Sequence, residues 1–452
     1  MVMPNEHAPL VLRDHDLVSW QQNVINLAGV PVQYGYGCLD GMVNTLKVVG
    51  DSVFLVAVDA GAHFARHIYN SARSVLFSTE EESGTLERAV DAGRSYDFSY
   101  PLVVEMKKGL LDLRTYYELY LKLMFENMQL GFVHGNYVRP FYCPSDQRKD
   151  GDPSDPQING RAYEKTFSIM MLHWPNLLGP RSPTFPGLNI LLARSSRSPY
   201  PGTSLIEFKA ESSYAPTRGP AVEEKNRFND RFGDKLTVHD ILLLDHSGKH
   251  LREASGSNLF FIDNKGTIIT PSLDGSIFPG ITRNFVIDLA NRLEAEGFDY
   301  SFHNSYHHDA YIGLDQIRLL SKFAGEMFLT GSALGVIPVK RLVIPKKDNP
   351  ETLADYEVLD FKTGPDTRTA LIQDCYSCVS VGDAFEVSAN GKRVRIDEFA
   401  SWPLLLEVPA PLGDKAKQLL MPSGLDKPLD QTLRTGRVIP MASERTRIVT
   451  ME

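Results

Sequence analysis

The sequence predicts an α+β protein in two main lobes, followed by a C-terminal extension. Three observations predict it. Short apolar runs separated by Asx-Gly and Ser-Gly turns dominate the second half and read as strands, broken by a few segments with helical apolar spacing. A Pro-rich passage at 174–187, "WPNLLGPRSPTFPG", reads as a connector between lobes. From about 346 the composition turns polar and charged, in "KKDNPETLADYEVLDFKTGPD". The expected division is a smaller N-terminal α/β lobe at 1–180, a second lobe at 181–345, and an extension of unknown role at 346–452.

In chain order, 52–58 "SVFLVAV" reads as a buried strand and 62–77 "AHFARHIYNSARSVLF" as an amphipathic helix. A second helix is expected in 113–131, then a strand in 132–143, "FVHGNYVRPFYC". The polar run 144–162 reads as a loop. The second lobe opens with the strand "LNILLARS" and continues through "DILLLDHSGK" and "NLFFIDNKGTIITP". Phe285, Leu289 and Leu293 then recur at four-residue spacing, with Val286 and Ala290 beside them, as one helix face. Thr282 is the candidate N-cap of that helix and Gly297 its stop. The strand-rich "GEMFLTGSALGVIPVKRLVI" closes the lobe.

Composition excludes several functional classes. The chain has 452 residues, 42% of them hydrophobic, and a net charge of -9 spread along its length, which argues against a nucleic-acid surface. No apolar run is long enough to span a bilayer, and no basic segment followed by an apolar one opens the chain, so a cytoplasmic protein without membrane contact is expected. The four cysteines form no disulfide framework. Cys375 and Cys378 make a single C-x-x-C, whereas a structural zinc site needs two further ligands. His303, His307 and His308 cluster in "FHNSYHHDAY", but turn histidines are the commoner case and no metal is expected.

Four stretches carry candidate chemistry. "SIFPGITRN" at 276–284 runs a Pro-Gly turn into a helix, where free first-turn amides, a Thr hydroxyl and the dipole form an anion site, or simply an ordinary capped helix. "LTGSALG" offers small residues and a hydroxyl to an anion, or makes a tight turn. Lys209 in "IEFKAESSY" sits where partial desolvation favours the neutral amine that Schiff-base chemistry needs; a surface-strand lysine is the plainer alternative. Glu253 in "LREASGSNLFF" is placed either to pair with a cofactor ring nitrogen or to be solvated in a turn.

Their order and spacing resemble the class IV aminotransferases, the pyridoxal-phosphate enzymes of fold type IV, whose architecture is that of D-amino acid aminotransferase and the branched-chain amino acid aminotransferases. The matching residues are Lys209 and Tyr214 five apart, "ILLLDHSGKHLRE", Glu253, Asn258 in "NLF", "PGITR", and "TGSA" followed by "PV". In the first half, "YGYGCLDGM", "HFARHIYNSA" and "YVRPF" are similar to family segments, so the likeness runs from about 20 to 345. The resemblance implies pyridoxal 5'-phosphate as cofactor and a homodimer. It implies that Lys209 is the catalytic, cofactor-linked lysine and that Tyr214 bonds the cofactor's phenolic oxygen. Glu253 would pair with the ring nitrogen, with Asn258 beside it. Ile281, Thr282, Ser332 and Ala333 would hold the phosphate. Gly41, Tyr137, Arg139 and Ala333 would line the substrate side.

The resemblance also implies an arginine on the phosphate just before the "H..RL..SA" helix. Here "AVDAGAH" has none, which leaves Arg66 or another group for that role. The stretch after Tyr214 carries a charged insert, "VEEKNRFNDRFGDK", and the extension after 345 has no expected counterpart. The implied activity is transamination between an amino acid, a branched-chain L-amino acid first, and a 2-oxo acid such as 2-oxoglutarate. The alternatives are a D-amino acid or amine transaminase, a lyase on the same fold, or a non-catalytic binding relative.

Overall fold

The computed structural model describes residues 10–13, 16–19, 37–73, 85–131, 136–148, 163–173, 186–196, 209, 211–273, 276–297, 301–302, 312–389, 392–396, 403–420 and 438–439. The first lobe is built on β1 (Leu10–Arg13), β2 (Asp16–Ser19), β3 (Cys38–Leu39), β4 (Met42–Val49) and β5 (Ser52–Ala57). The ribbon of β6 (Val104–Met106) and β7 (Gly109–Leu111) follows, then the long strands β8 (Asn136–Arg148) and β9 (Tyr163–His173). The main sheet is antiparallel, ordered β2-β1-β9-β8-β4-β5, with β3 on β8.

Helix α1 (Ala60–Arg73) packs with α2 (Leu86–Arg94) and α3 (Leu113–Gln129). From Ala60 to Ala72 α1 is buried throughout, so it behaves as a core helix rather than a one-faced surface helix. Its expected span, 62–77, begins two residues late, because Asp59 turns the chain at φ 50 and accepts the first-turn amide of His63 on its carbonyl. Positions 74–77 lie outside the described residues. The polar run expected as a loop from 144 still belongs to β8 as far as Arg148, which pairs with Tyr163. The rest of that run to 162, the His303, His307 and His308 cluster, and most of the Pro-rich connector also lie outside the described residues.

The second lobe holds β10 (Leu188–Ser196), α4 (Glu211–Phe232), β11 (Asp240–Leu244), β12 (Leu251–Ala254), β13 (Asn258–Ile262) and β14 (Thr267–Ile269). It continues with α5 (Ile281–Ala295), β15 (Ser301–Phe302), α6 (Leu314–Lys322), β16 (Glu326–Gly331), β17 (Gly335–Pro345) and β18 (Tyr356–Asp360). The strands run β12-β11-β10-β17-β16-β13-β14-β15, and a further β12–β13 pairing closes the path into a ring. The β13 sequence "NLFFI" is buried throughout because both of its faces are covered. Leu259 and Phe261 join Ile190, Leu242 and Leu329 in one core, while Phe260 and Ile262 face the other way onto Phe285 and Leu289 of α5. The charged insert after Tyr214 is ordinary helix as far as Phe232, the C-terminal part of α4, and ends in a turn.

The boundary expected at 345 is corrected by the strand pairing. β18 lies antiparallel on β17, Leu342 opposite Leu359, and helix α7 (Arg368–Ser380) packs on β16 and β17. Ile372, Cys375, Cys378 and Val379 share a core with Phe260, Phe285 and Phe328. Burial holds the Cys375 thiol well above its ordinary range and pushes Cys378 up to about 12, so both pack as neutral core groups. After β19 (Ala384–Ala389) and β20 (Lys392–Ile396), strand β21 (Leu404–Glu407) returns to the first lobe and covers the β5 edge, Leu405 opposite Val56. Helix α8 (Ala410–Leu420) follows on β5 and α3, and β22 (Val438–Ile439) joins β19. Leu404, Leu406, Val408 and Ala416 belong to the first-lobe core. The expected extension therefore completes both lobes.

Candidate active site

The predicted residues meet where the lobes face each other. Lys209 is tied to β3, its carbonyl accepting the Leu39 amide at 2.9 Å. Its ammonium lies 5.2 Å from the centre of the Phe278 ring. Burial pushes its pKa down to about 8 despite the opposing pull of Asp40, and the charges of Arg66, Arg139 and Glu253 also act on it. Against an ordinary lysine, that raises the neutral fraction near pH 7 roughly 300-fold.

Glu253 and Asn258 face each other at the β12–β13 turn, both buried. Glu253 Oε2 accepts the Phe278 amide at 3.0 Å and the Asn258 Nδ2 at 3.3 Å; Asn258 also donates to the Phe278 carbonyl at 2.7 Å. The carboxylate is thus held by the chain that leads into α5. Gly280 is required there, since a Cβ would come within 2.0 Å of Asn258 Oδ1.

The N-cap of α5 is Gly280, not Thr282 as the sequence suggested. Glycine has no side chain to cap, so the first-turn amides of Ile281 and Thr282 keep their pull on an anion. Thr282, two positions further in, is buried. The C-terminal end is as expected: Gly297 adopts φ 75 and its amide bonds the Glu294 carbonyl.

Beside this helix end lies a second buried polar group. Arg66, 2% exposed, donates from Nε to Asp40 Oδ2 at 2.8 Å and from Nη2 to Asp40 Oδ1 at 2.7 Å. Its Nη1 donates to the Pro279 carbonyl at 3.1 Å, across the lobe junction, and its Cζ stands 4.7 Å from the centre of the Phe278 ring. Of the options left open for the missing arginine, Arg66 is the one that α1 carries directly to the "FPGITR" turn. Among the described residues, three of its five N–H groups are used in these bonds, and Nη2 also lies 3.3 Å from His63 Nδ1. His63 faces Asp40 Oδ1 through Nδ1 at 2.8 Å and Ser332 Oγ through Nε2 at 3.4 Å. Asp40 also accepts the Gly41 amide at 2.6 Å. Burial alone would raise Asp40, but Arg66 and His63 hold it well below the usual carboxylate range. Ser332 and Ala333, both half-buried, form the turn between β16 and β17.

On the other side, Tyr137 and Arg139 come from β8. The Arg139 Cζ lies 5.7 Å from the Tyr137 ring centre, and its Nε is buried with no hydrogen-bond partner among the described residues. A Cβ on Gly41 would fall 2.0 Å from Tyr137 Oη, which explains the glycine. Tyr214 lies in the first turns of α4; its side chain lies outside the described residues. Asp40, His63 and Phe278 were not singled out by the sequence reading. The "LDG" and "H..R" segments contained the first two, but only the fold brings them together.

Residues 229–342 match the family described as Amino-transferase class IV. A probable branched-chain-amino-acid aminotransferase from Staphylococcus aureus (strain N315) is 45% identical over 64 residues, 14% of this chain and 18% of that protein. The methionine aminotransferase BCAT4 of Arabidopsis thaliana is 28% identical over 214 residues, 47% of this chain and 49% of that one. These matches therefore span about half or less of the curated relatives. Among solved structures, the branched-chain aminotransferase from Thermoproteus uzoniensis with norvaline aligns at TM-score 0.53 and 19% identity, covering 83% of this chain and 95% of its own. A branched-chain amino acid aminotransferase from Thermobaculum terrenum (M4 mutant) aligns at TM-score 0.54 and 16% identity, covering 88% of this chain and 98% of its own. At such identities the likeness establishes the fold, which is fold type IV.

Proposed function

We propose, from the premise that this chain belongs to the class IV aminotransferases, that it is a pyridoxal-phosphate-dependent transaminase working at the lobe junction. The observation that carries the proposal is a lysine amine beside Phe278, pushed down to about 8 and acted on by Glu253 and Arg66, with Phe278 leading into the uncapped start of α5.

The residues fit pyridoxal phosphate. Lys209 supplies the amine, and Glu253, fixed by two donors, supplies the carboxylate for a ring nitrogen. The remaining N–H groups of Arg66, the amides of Ile281 and Thr282 and the Ser332 hydroxyl make a donor set suited to a phosphate dianion. When bound, the cofactor supplies an electron sink for the bonds to an amino acid's α-carbon.

The rest is work for the chain's own groups. The Phe278 amide and Asn258 both donate to one oxygen of Glu253 and fix the carboxyl group where it would face a bound ring nitrogen. Lys209, largely desolvated, holds and returns a proton near neutral pH. Arg139, whose buried Nε has no hydrogen-bond partner among the described residues, would receive a substrate carboxylate, and Tyr137 and Gly41 limit the space beside it.

The substrate pair is a branched-chain L-amino acid and a 2-oxo acid such as 2-oxoglutarate, supported by "YVRPF" and by the names of the relatives. A cytoplasmic homodimer completes the reading; among the described residues no helix is long and apolar enough to cross a membrane. The test is the visible spectrum of the purified protein with pyridoxal phosphate, followed after adding L-leucine or D-leucine. A spectral change with the L-amino acid, reversed by 2-oxoglutarate, is expected. No change with either overturns the proposal, and a change with the D-amino acid alone overturns the substrate assignment.

A further inference from the structure

Asp40, His63 and Ser332 form a hydrogen-bonded chain, Nδ1 to Oδ1 at 2.8 Å and Nε2 to Oγ at 3.4 Å. A carboxylate only accepts, so the His63 proton sits on Nδ1. Arg66 Nη2 also comes within 3.3 Å of that nitrogen, but it donates to Asp40 Oδ1 at the shorter 2.7 Å. With His63 neutral, Nε2 carries a lone pair, and the contact requires the Ser332 hydroxyl to donate to it. A hydroxyl has one proton. Ser332 therefore cannot donate to His63 and to a phosphate at once, and while it donates to His63 it turns oxygen lone pairs toward any anion in the cup.

The charges sharpen the conflict. Arg66 is already matched by Asp40 through two hydrogen bonds. The group of Asp40, Arg66 and neutral His63 has no net charge, yet the donor set is suited to a dianion. The charged neighbours acting on His63 are Asp40 from the β3–β4 link, Arg66 on its own helix and Asp59 at the start of that helix. Lys209 also acts on Asp40.

We propose that phosphate binding at this junction is proton-linked: His63 takes a proton from the buffer onto Nε2 as Ser332 turns its hydroxyl from His63 to the phosphate. His63 then donates to the Ser332 oxygen, Ser332 donates to the phosphate, and the group gains one positive charge. His63 is a positioning residue, acting through Ser332. In the unliganded protein burial holds the His63 pKa below its ordinary value, so the proton is absent near neutral pH. His67, one helical turn on, cannot respond in this way. Its Nδ1 accepts from Tyr116 at 3.0 Å and its Nε2 donates to the Cys38 carbonyl at 3.0 Å, so both ring nitrogens are engaged.

The inference rests on the cofactor reading, and a probe without an aldehyde separates the two. Pyridoxine 5'-phosphate cannot link to Lys209. Calorimetry at pH 7 in buffers of different ionisation enthalpy counts the protons taken up with it, and pyridoxine, lacking phosphate, corrects for the ring. The expected phosphate-dependent uptake is roughly half a proton or more in the wild type and close to none in His63→Gln. The wild-type affinity should also weaken by up to about tenfold per pH unit on the alkaline side, the slope of one linked proton, while the variant stays flatter. Equal uptake with the two ligands in the wild type overturns the proposal even if His63→Gln fails to fold. Uptake that persists in a folded His63→Gln overturns it too. Failure of the phosphate to bind at all overturns it as well, and the spectral test above then decides the cofactor reading separately.

Discussion

Two arginines anchor the helical layer near the lobe junction, and they are matched differently. Arg66 faces one carboxylate, Asp40, in a two-bond pair with His63 alongside. Arg94 must serve three. It bonds Asp59 at 3.2 Å, pairs with Asp91 at 3.7 Å, and attracts Asp288 of α5. The Asp40 carboxyl is held low, whereas Asp288 is pushed up to about 6 by burial and by Asp59 and Asp91, which together outweigh Arg94. The balanced group has donors left for a ligand. The unbalanced group has surplus acceptors and is a place where acid stabilises contact between α5 and the first lobe. Burial alone does not distinguish the two clusters; the direction of their surplus does.

The contrast is sharpened most by Lys209, on which the balanced group acts. Under the proposed function, Lys209→Ala should lose transamination by several orders of magnitude and lose covalent attachment of the cofactor, because its amine would be the nucleophile. Borohydride trapping followed by mass spectrometry checks this; cofactor still trapped on the variant chain would remove Lys209 from its role.

Next in size is Arg66→Ala against Arg94→Ala. Removing Arg66 leaves Asp40 buried without its partner, at a cost of about 3–5 kcal/mol in urea unfolding, and weakens cofactor binding besides. Removing Arg94 should cost stability without changing cofactor affinity in the folded fraction. If both variants bind pyridoxal phosphate like the wild type, the two groups do not differ in function and the comparison fails.

Thr282→Val probes the helix end that Arg66 adjoins. A lost hydrogen bond to a charged group costs about 1–3 kcal/mol of cofactor affinity. Titration of the apoprotein with pyridoxal phosphate measures it, and an unchanged dissociation constant would leave the anion to Arg66, Ser332 and the amides alone.

What the sequence made legible follows from range. The α5 helix, its Gly297 stop and the Glu253–Asn258 turn depend on neighbours a few residues away, so spacing exposed them. The balanced group does not. Arg66 meets Asp40 from 26 positions away and Ser332 meets His63 from 269, so no local pattern contains the cluster. Resemblance named Arg66 as one option, and the fold was needed to bring it to Pro279. Residues after 345 misled for a different reason. β18 is an outer strand that shows Val358 and Asp360 to solvent, so its composition resembled a separate appendage, and only Leu359 along it is buried. The Gly280 cap was hidden because Thr282 is the better N-cap by type; close approach of Asn258 decided the position instead.

The smallest effect belongs to the unbalanced group and has the opposite sign. Asp288 titrates near 6 in the folded protein, above the ordinary aspartate value of 3.8. Between those values the folded state binds more protons than the unfolded one. The stability Asp288 contributes is therefore complete below the unfolded value and is lost as pH rises through 6. Asp288→Asn removes the charge that is resisted there, so it should stabilise the protein above pH 6, by on the order of 1 kcal/mol once solvent screening of this half-buried group is allowed for. Below the unfolded value the variant should have no advantage. Paired urea melts at pH 3 and pH 8 check the difference. An advantage that is equal at both pH values would mean that the substitution acts through packing on α5, and that Arg94 after all satisfies its three carboxylates.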